Sequence, residues 1–222
     1  LNISKESRGN LWTKIRQSFI YIHDNFIDEY EWFIKTDDDT YIIFENLRYF
    51  LSQYNSDEPY YFGKRFKPFG GYNSGGAGYV LSRKSLKLFR DAVRNNSMEC
   101  PINQSPEDVM MGKCLNHMNV HPTPALDKSK TQLFRCFGTD FYIDSKPNRA
   151  KFWFDSYSYY PSVEGPTSCS LLTISFHYMT PLLKFQTHFL LYNIFRHKYW
   201  QPGDVISYES PKTNFSISKK NR

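Results

Sequence analysis

The stretch Trp32-Phe33-Ile34-Lys35-Thr36-Asp37-Asp38-Asp39-Thr40-Tyr41 sets a short apolar run against three adjacent aspartates, and the chain turns apolar again at Tyr41-Ile42-Ile43. The run is too short for a helix and reads as a buried strand that ends in an acidic loop. Three neighbouring carboxylates repel one another unless a cation is held among them. Carboxylate oxygens suit hard divalent ions such as Mg²⁺ or Mn²⁺, which keep several waters and bridge to substrate phosphates. A solvated acidic turn is the alternative that the triplet alone leaves open.

Working outward, Leu11, Ile15, Phe19, Ile22 and Phe26 recur at three- and four-residue steps, which predicts an amphipathic opening helix. Phe44, Leu47, Phe50, Leu51 and Tyr54 predict a second helix, Tyr60 to Phe66 a strand, and Gly75 to Leu81 a glycine-rich entry into another strand. Leu86, Phe89, Ala92 and Val93 continue as a helix capped by Ser82 or Ser85. Ser105-Pro106-Glu107-Asp108 places a capping residue, a first-turn proline and two acids ahead of Val109, Met110 and Leu115, the pattern of a helix start. Residues 136–161 read as aromatic and loop-rich, Leu171 to Met179 as a strand, Leu182 to Phe195 as a helix, and 201–222 as a polar tail. Alternating strands and helices predict one α/β domain over residues 1–200, with ligands beyond strand C-termini.

Composition narrows the function. At 222 residues, with 40% hydrophobic and 23% charged residues and no apolar stretch near the ~18 residues of a membrane span, disorder, collagen and an integral membrane domain are excluded. The 18% aromatic content serves either a core or the stacking of flat ligands and sugar faces. Net charge is +6 with pI near 9.0, which suits an anionic ligand. The basic residues are scattered, however, with small clusters at Lys64, Arg65, Lys67 and at Arg83, Lys84, Lys87 and one run at Lys219, Lys220, Arg222. No nucleic-acid-binding motif accompanies them, so no nucleic-acid partner is expected. Cys100, Cys114, Cys136 and Cys169 form no metal-type pair and allow three disulfide connectivities. Together with Asn-x-Ser sequons at Asn2, Asn95, Asn103 and Asn214 they point to the secretory pathway, with any targeting segment upstream of Leu1.

Other residues carry chemistry only in combination. Gly70-Gly71-Tyr72-Asn73-Ser74-Gly75-Gly76-Ala77-Gly78 permits close backbone approach to a ligand, yet lacks both the dinucleotide and the P-loop pattern. Glu107 and Asp108 fit a helix first turn, where acids are stabilised by the macrodipole without further duty. His177, inside an apolar strand, reads as a hydrogen-bonded core histidine or as a nitrogen ligand beside carboxylates. Trp153 with Tyr157, Tyr159 and Tyr160 reads as core, with a sugar face as the alternative.

In order, WFIKTDDDTYIIFENLRYFLS, YFGKRFKPFGGYNSGGAGYVLS, SPEDVMMGKCL, YYPSVEGP and SFHY closely resemble the core 1 β1,3-galactosyltransferases of the fringe-like glycosyltransferase family 31, from about Asn10 to about Tyr199. The resemblance implies a GT-A, Rossmann-like fold with a mixed sheet flanked by helices. It also implies a type II membrane protein of the Golgi lumen, and Mn²⁺-dependent transfer from UDP-galactose to GalNAc-α-Ser/Thr of glycoprotein acceptors. A membrane anchor is expected upstream of this chain, and a homodimer is among the expected assemblies. By the resemblance, Asp37, Asp39 and His177 are metal ligands, Asp38, Gly75 and Gly76 join the two aspartates around the donor, and Asp108 is the catalytic base. Trp153, Tyr178 and Glu107 contact substrate, and Cys100 pairs with Cys114.

Departures from the family pattern shape the remaining expectations. A strand–helix region that supplies much of the family's nucleotide pocket precedes the opening helix, and this chain starts after it. Asp155-Ser156 stands where the family reads Trp-Asn, so acceptor preference is expected to differ, and Cys136 opens the option of a Cys136–Cys169 bond. The competing readings are a non-catalytic chaperone-like or sugar-binding relative and a fringe-type transferase with another acceptor.

Overall fold

The computed structural model describes residues 7–95, 100, 106–143, 153–161, 165 and 168–194. A 3-10 turn, Arg8–Asn10, leads into α1 (Leu11–Phe26), β1 (Trp32–Lys35), β2 (Tyr41–Ile42), α2 (Phe44–Leu51), β3 (Tyr61–Gly63) and β4 (Arg65–Phe66). After β5 (Tyr72–Asn73) and β6 (Tyr79–Ser82) come α3 (Arg83–Arg94), α4 (Glu107–His117), α5 (Thr139–Ile143), α6 (Trp153–Tyr157), β7 (Ser175–Phe176) and α7 (Pro181–Phe189). A π-helical turn, Leu190–Ile194, extends α7.

The main sheet has the order β1-β6-β3, with β6 antiparallel to both neighbours. All four residues of β6 are buried, because helices or loops cover both faces. Tyr61, Tyr79 and Leu81 join Trp12, Phe19 and Phe89 on one face; Phe62 and Val80 join Phe134, Phe154 and Ile174 on the other. The period of two along a strand accounts for this division. Helix α4 spans the two cores, with Met111 in the first and Val109 in the second. The named strands pair antiparallel, and the parallel component of the mixed sheet comes from single bridges, Phe62 to Thr123 and Phe134 to Ser175.

Several boundaries differ from expectation. The opening helix buries Trp12 and Phe19, because Trp12 packs edge-on against Phe89 with ring centroids 6.4 Å apart. The strand expected over Tyr60 to Phe66 splits at Lys64, whose ammonium turns inward to Gln132 Oε1. That expected over Leu171 to Met179 shortens to Ser175–Phe176, since Tyr178 adopts φ 54° and turns the chain. Ser82 caps α3 by accepting from Ser85 N–H. Pro106 occupies the N-cap of α4, one position earlier than its expected place in the first turn. Cys100 and Cys114 form a disulfide, whereas Cys136 and Cys169 are free thiols. Ser105, the 201–222 tail and the sequon asparagines Asn2, Asn103 and Asn214 lie outside the described residues.

Candidate active site

Along β1 the inward positions are Phe33 and Lys35, so the strand delivers a lysine into the protein just before the aspartates. Lys35 stands opposite Tyr79 in the β1–β6 register, which sets the acidic loop beside the glycines that precede β6. Lys35 Nζ donates to Asp37 Oδ1 at 2.5 Å and to the Gly75 carbonyl at 3.2 Å, and lies 3.3 Å from Glu107 Oε2. Burial works against this charge, but Glu107 and Asp37 outweigh it and raise the lysine above its ordinary range. Thr40 fastens the acidic turn by receiving the Asp37 N–H and donating its hydroxyl to the Gly76 carbonyl.

The short β2–β7 pair brings the far end of the chain to the same place, with Tyr41 opposite Phe176 and His177 one residue on. His177 Nε2 lies 3.1 Å from Asp39 Oδ1 and 3.6 Å from Asp37 Oδ2. Asp37, Asp39 and His177 each offer one ligand atom, all within 4.8 Å of one another. The Cys136 carbonyl lies 3.2 Å from His177 Nδ1 and accepts its proton, which turns Nε2 toward the two carboxylates. A cation shared by Nε2 and the two carboxylates would partner all three. Two carboxylate oxygens and one imidazole nitrogen suit a divalent cation, and these three residues would hold it. Asp38 is exposed outside this cluster, and its carbonyl accepts from Lys184 Nζ.

On the other side of the glycines stands α4. Gly75 N–H donates to Asp108 Oδ2 at 3.1 Å, and Val109 N–H donates to Oδ1 at 2.9 Å. Burial raises the Asp108 carboxyl above the ordinary aspartate range, and those two backbone donors only partly offset it. Glu107 is 4% exposed, with Tyr79 O–H on Oε1 at 2.5 Å and Lys35 at Oε2. Both its oxygens have partners inside the protein. Trp153 is 46% and Tyr178 59% exposed, so Trp153 departs from its reading as core, whereas Tyr157 of the same cluster packs against the second core. Trp153 and Tyr178 flank Phe137, which stacks on Tyr178 at 6.0 Å and tilts toward Trp153 at 6.3 Å. Phe154, between Trp153 and Asp155, turns into the core instead. The result is an aromatic shelf beside His177, whose ring lies 3.9 Å from that of Tyr178.

A family model described as Fringe-like matches residues 5–132, more than half of the chain. The chain belongs to the Fringe-like family. The Xenopus laevis protein named glycoprotein-N-acetylgalactosamine 3-beta-galactosyltransferase 1 is 44% identical over 197 residues, which cover 87% of this chain and 54% of that protein. A mouse beta-1,3-glucosyltransferase is 34% identical over 95 residues, covering 41% of the chain and 19% of the relative. Human chondroitin sulfate synthase 3 is 32% identical over 107 residues, covering 43% and 12% respectively. This Fringe-like chain therefore spans about half the length of the Xenopus relative and less of the others.

Of the residues singled out in this Fringe-like sequence, Asp37, Asp39, His177, Gly75, Gly76 and Asp108 meet in one place, and Trp153 and Tyr178 stand at its edge. Lys35 and Tyr79 are the members that sequence reasoning missed. The signal was there for Lys35: it is two residues from Phe33, hence on the same strand face, and a lysine on a buried face needs carboxylate partners.

Proposed function

We propose that this chain is an inverting glycosyltransferase that moves galactose from UDP-galactose to the 3-hydroxyl of GalNAc-α-Ser/Thr on glycoproteins, with Mn²⁺ as cofactor. The reading draws on the identity to the Xenopus galactosyltransferase and, within the site, on one observation. The Gly75–Gly76 dipeptide touches both halves of the chemistry, holding the Asp108 carboxylate by the Gly75 N–H and lying against the His177 ring at Gly76. A base and a cation site on either side of two consecutive residues suit a reaction in which a hydroxyl loses its proton while a diphosphate departs.

Asp108 accepts the proton of the acceptor 3-hydroxyl, that oxygen bonds to galactose C1, and the C1–oxygen bond to UDP breaks on the opposite face, so one displacement inverts the anomeric centre. Mn²⁺, when bound, neutralises the negative charge of the departing diphosphate. Burial keeps Asp108 a stronger base than an exposed aspartate, and the two backbone donors fix its orientation. Trp153 and Tyr178 offer apolar faces for the acceptor sugar ring, which set its angle of approach. The lumen of the Golgi is the proposed compartment; among the described residues no helix is long and apolar enough to cross a membrane.

The test is incubation with UDP-galactose, a GalNAc-α-Thr peptide and Mn²⁺, with the product linkage read by NMR. A β1,3-linked galactose that disappears when the metal is chelated is the expected result. Transfer to fucose or glucuronate in place of GalNAc would replace the acceptor assignment.

A further inference from the structure

Lys35 belongs neither to the cation cluster nor to the acceptor shelf, yet its ammonium is buried at the centre of the site, with a side chain 6% exposed. Its three polar partners are Asp37 Oδ1, the Gly75 carbonyl and Glu107 Oε2. Glu107 is itself anchored by Tyr79, the residue opposite Lys35 in the sheet. We propose that Lys35 is a positioning residue that makes Asp37 present a single oxygen to the cation and ties that aspartate to the loop that aims Asp108. The inference rests on the cation reading of Asp37, Asp39 and His177 given above.

The geometry separates this role from that of a plain buried ion pair. A Lys35–Glu107 pair serving stability alone would need neither of the other two contacts. Because Oδ1 of Asp37 is held by Lys35, only Oδ2 is left to face His177 Nε2, at 3.6 Å. The Gly75 carbonyl held by the same ammonium belongs to the residue whose N–H holds Asp108 Oδ2. One side chain thus fixes the orientation of a cation ligand and the placement of the base. Groups that orient ligands in this way typically govern metal affinity by 10–100-fold.

The experiment is a Mn²⁺ titration of the chain, reading the free aqua ion by electron paramagnetic resonance. Lys35→Met alone would leave the Glu107 carboxylate buried and unpaired, so the test variant combines Lys35→Met with Glu107→Gln, which keeps an acceptor for Tyr79. Roughly 10–100-fold weaker Mn²⁺ binding is expected with circular dichroism unchanged. Placed in an Asp37→Asn background, the same pair of substitutions should add no more than about twofold, since the effect travels through Asp37. Affinity within twofold of wild type in the folded variant, or full additivity in the Asp37→Asn background, would overturn the role of Lys35 and leave the cation site standing. A wild-type chain that binds no Mn²⁺ would remove the cation site and this inference with it.

Discussion

Gly76 lies so close to His177 that a Cβ built on it would sit 2.1 Å from the imidazole Cε1. Gly76 is absent from the positive-φ residues, so its backbone makes no demand for glycine. The three atoms nearest that Cβ all belong to the ring. Gly76→Ala is therefore expected to push His177 away from Asp37 and Asp39, abolishing measurable Mn²⁺ binding and lowering turnover at least about 100-fold, the cost of a small misplacement at a reacting centre. Helix content should be preserved by far-ultraviolet circular dichroism. An alanine variant that titrates Mn²⁺ like wild type would contradict the placement of the ring.

The cation cluster makes unequal demands on the three aspartates. Asp39→Ala and His177→Ala should each weaken Mn²⁺ binding, and with it Mn²⁺-dependent UDP binding, because each removes one of three ligand atoms. Asp38→Ala should leave Mn²⁺ affinity within about twofold, since its carboxylate is exposed outside the cluster and a rim charge adds little. Calorimetric titration of the three variants decides the matter; equal losses at Asp38 and Asp39 would mean that the loop binds differently.

For Asp108, activity and stability should move apart. Its folded pKa is raised above the unfolded value, so ionisation at neutral pH costs stability, and the protein is relieved of that cost as pH falls through the raised value. Asp108→Asn carries no charge and keeps an acceptor for Gly75 N–H, but its amide NH2 then faces Val109 N–H. Removal of the buried charge and loss of one backbone partner oppose each other, so its melting temperature at pH 7 should stay close to that of wild type, with wild type gaining on the variant in acid. Turnover should fall roughly 10²–10⁴-fold, because the amide cannot take the proton. The acid limb of the wild-type rate profile should likewise lie above the ordinary aspartate range. Near-normal turnover by the asparagine variant would end the assignment of Asp108 as base.

On the aromatic shelf, Trp153→Ala should raise KM for a GalNAc-peptide roughly tenfold with a smaller change in kcat, while Trp153→Phe recovers most of the loss. KM for UDP-galactose should stay put. A change confined to the donor KM would move Trp153 to the other substrate.

Much of this arrangement is legible in the residues. The apolar run ending at three aspartates, the serine cap of α3 and the helix at Glu107 all follow from local pattern, because each is decided within a few residues. What local pattern misses is partnership. The Glu107 side chain looks like a first-turn acid and turns out to be the buried counterion of Lys35, 72 positions earlier in the sequence, a pairing set only by the β1–β6 register. Trp153 and Phe154 are equally apolar neighbours, yet one faces solvent and the other the core. The direction of α6 makes that distinction, and α6 is too short to show a periodicity.

His177 follows Asp39 by roughly 140 residues, so on a ribosome adding about 5–20 residues per second the aspartates wait on the order of ten seconds for their imidazole. During that interval an early-formed β1 would hold its acidic loop without the third ligand. Capture of a cation would then await the closing of the β2–β7 pair.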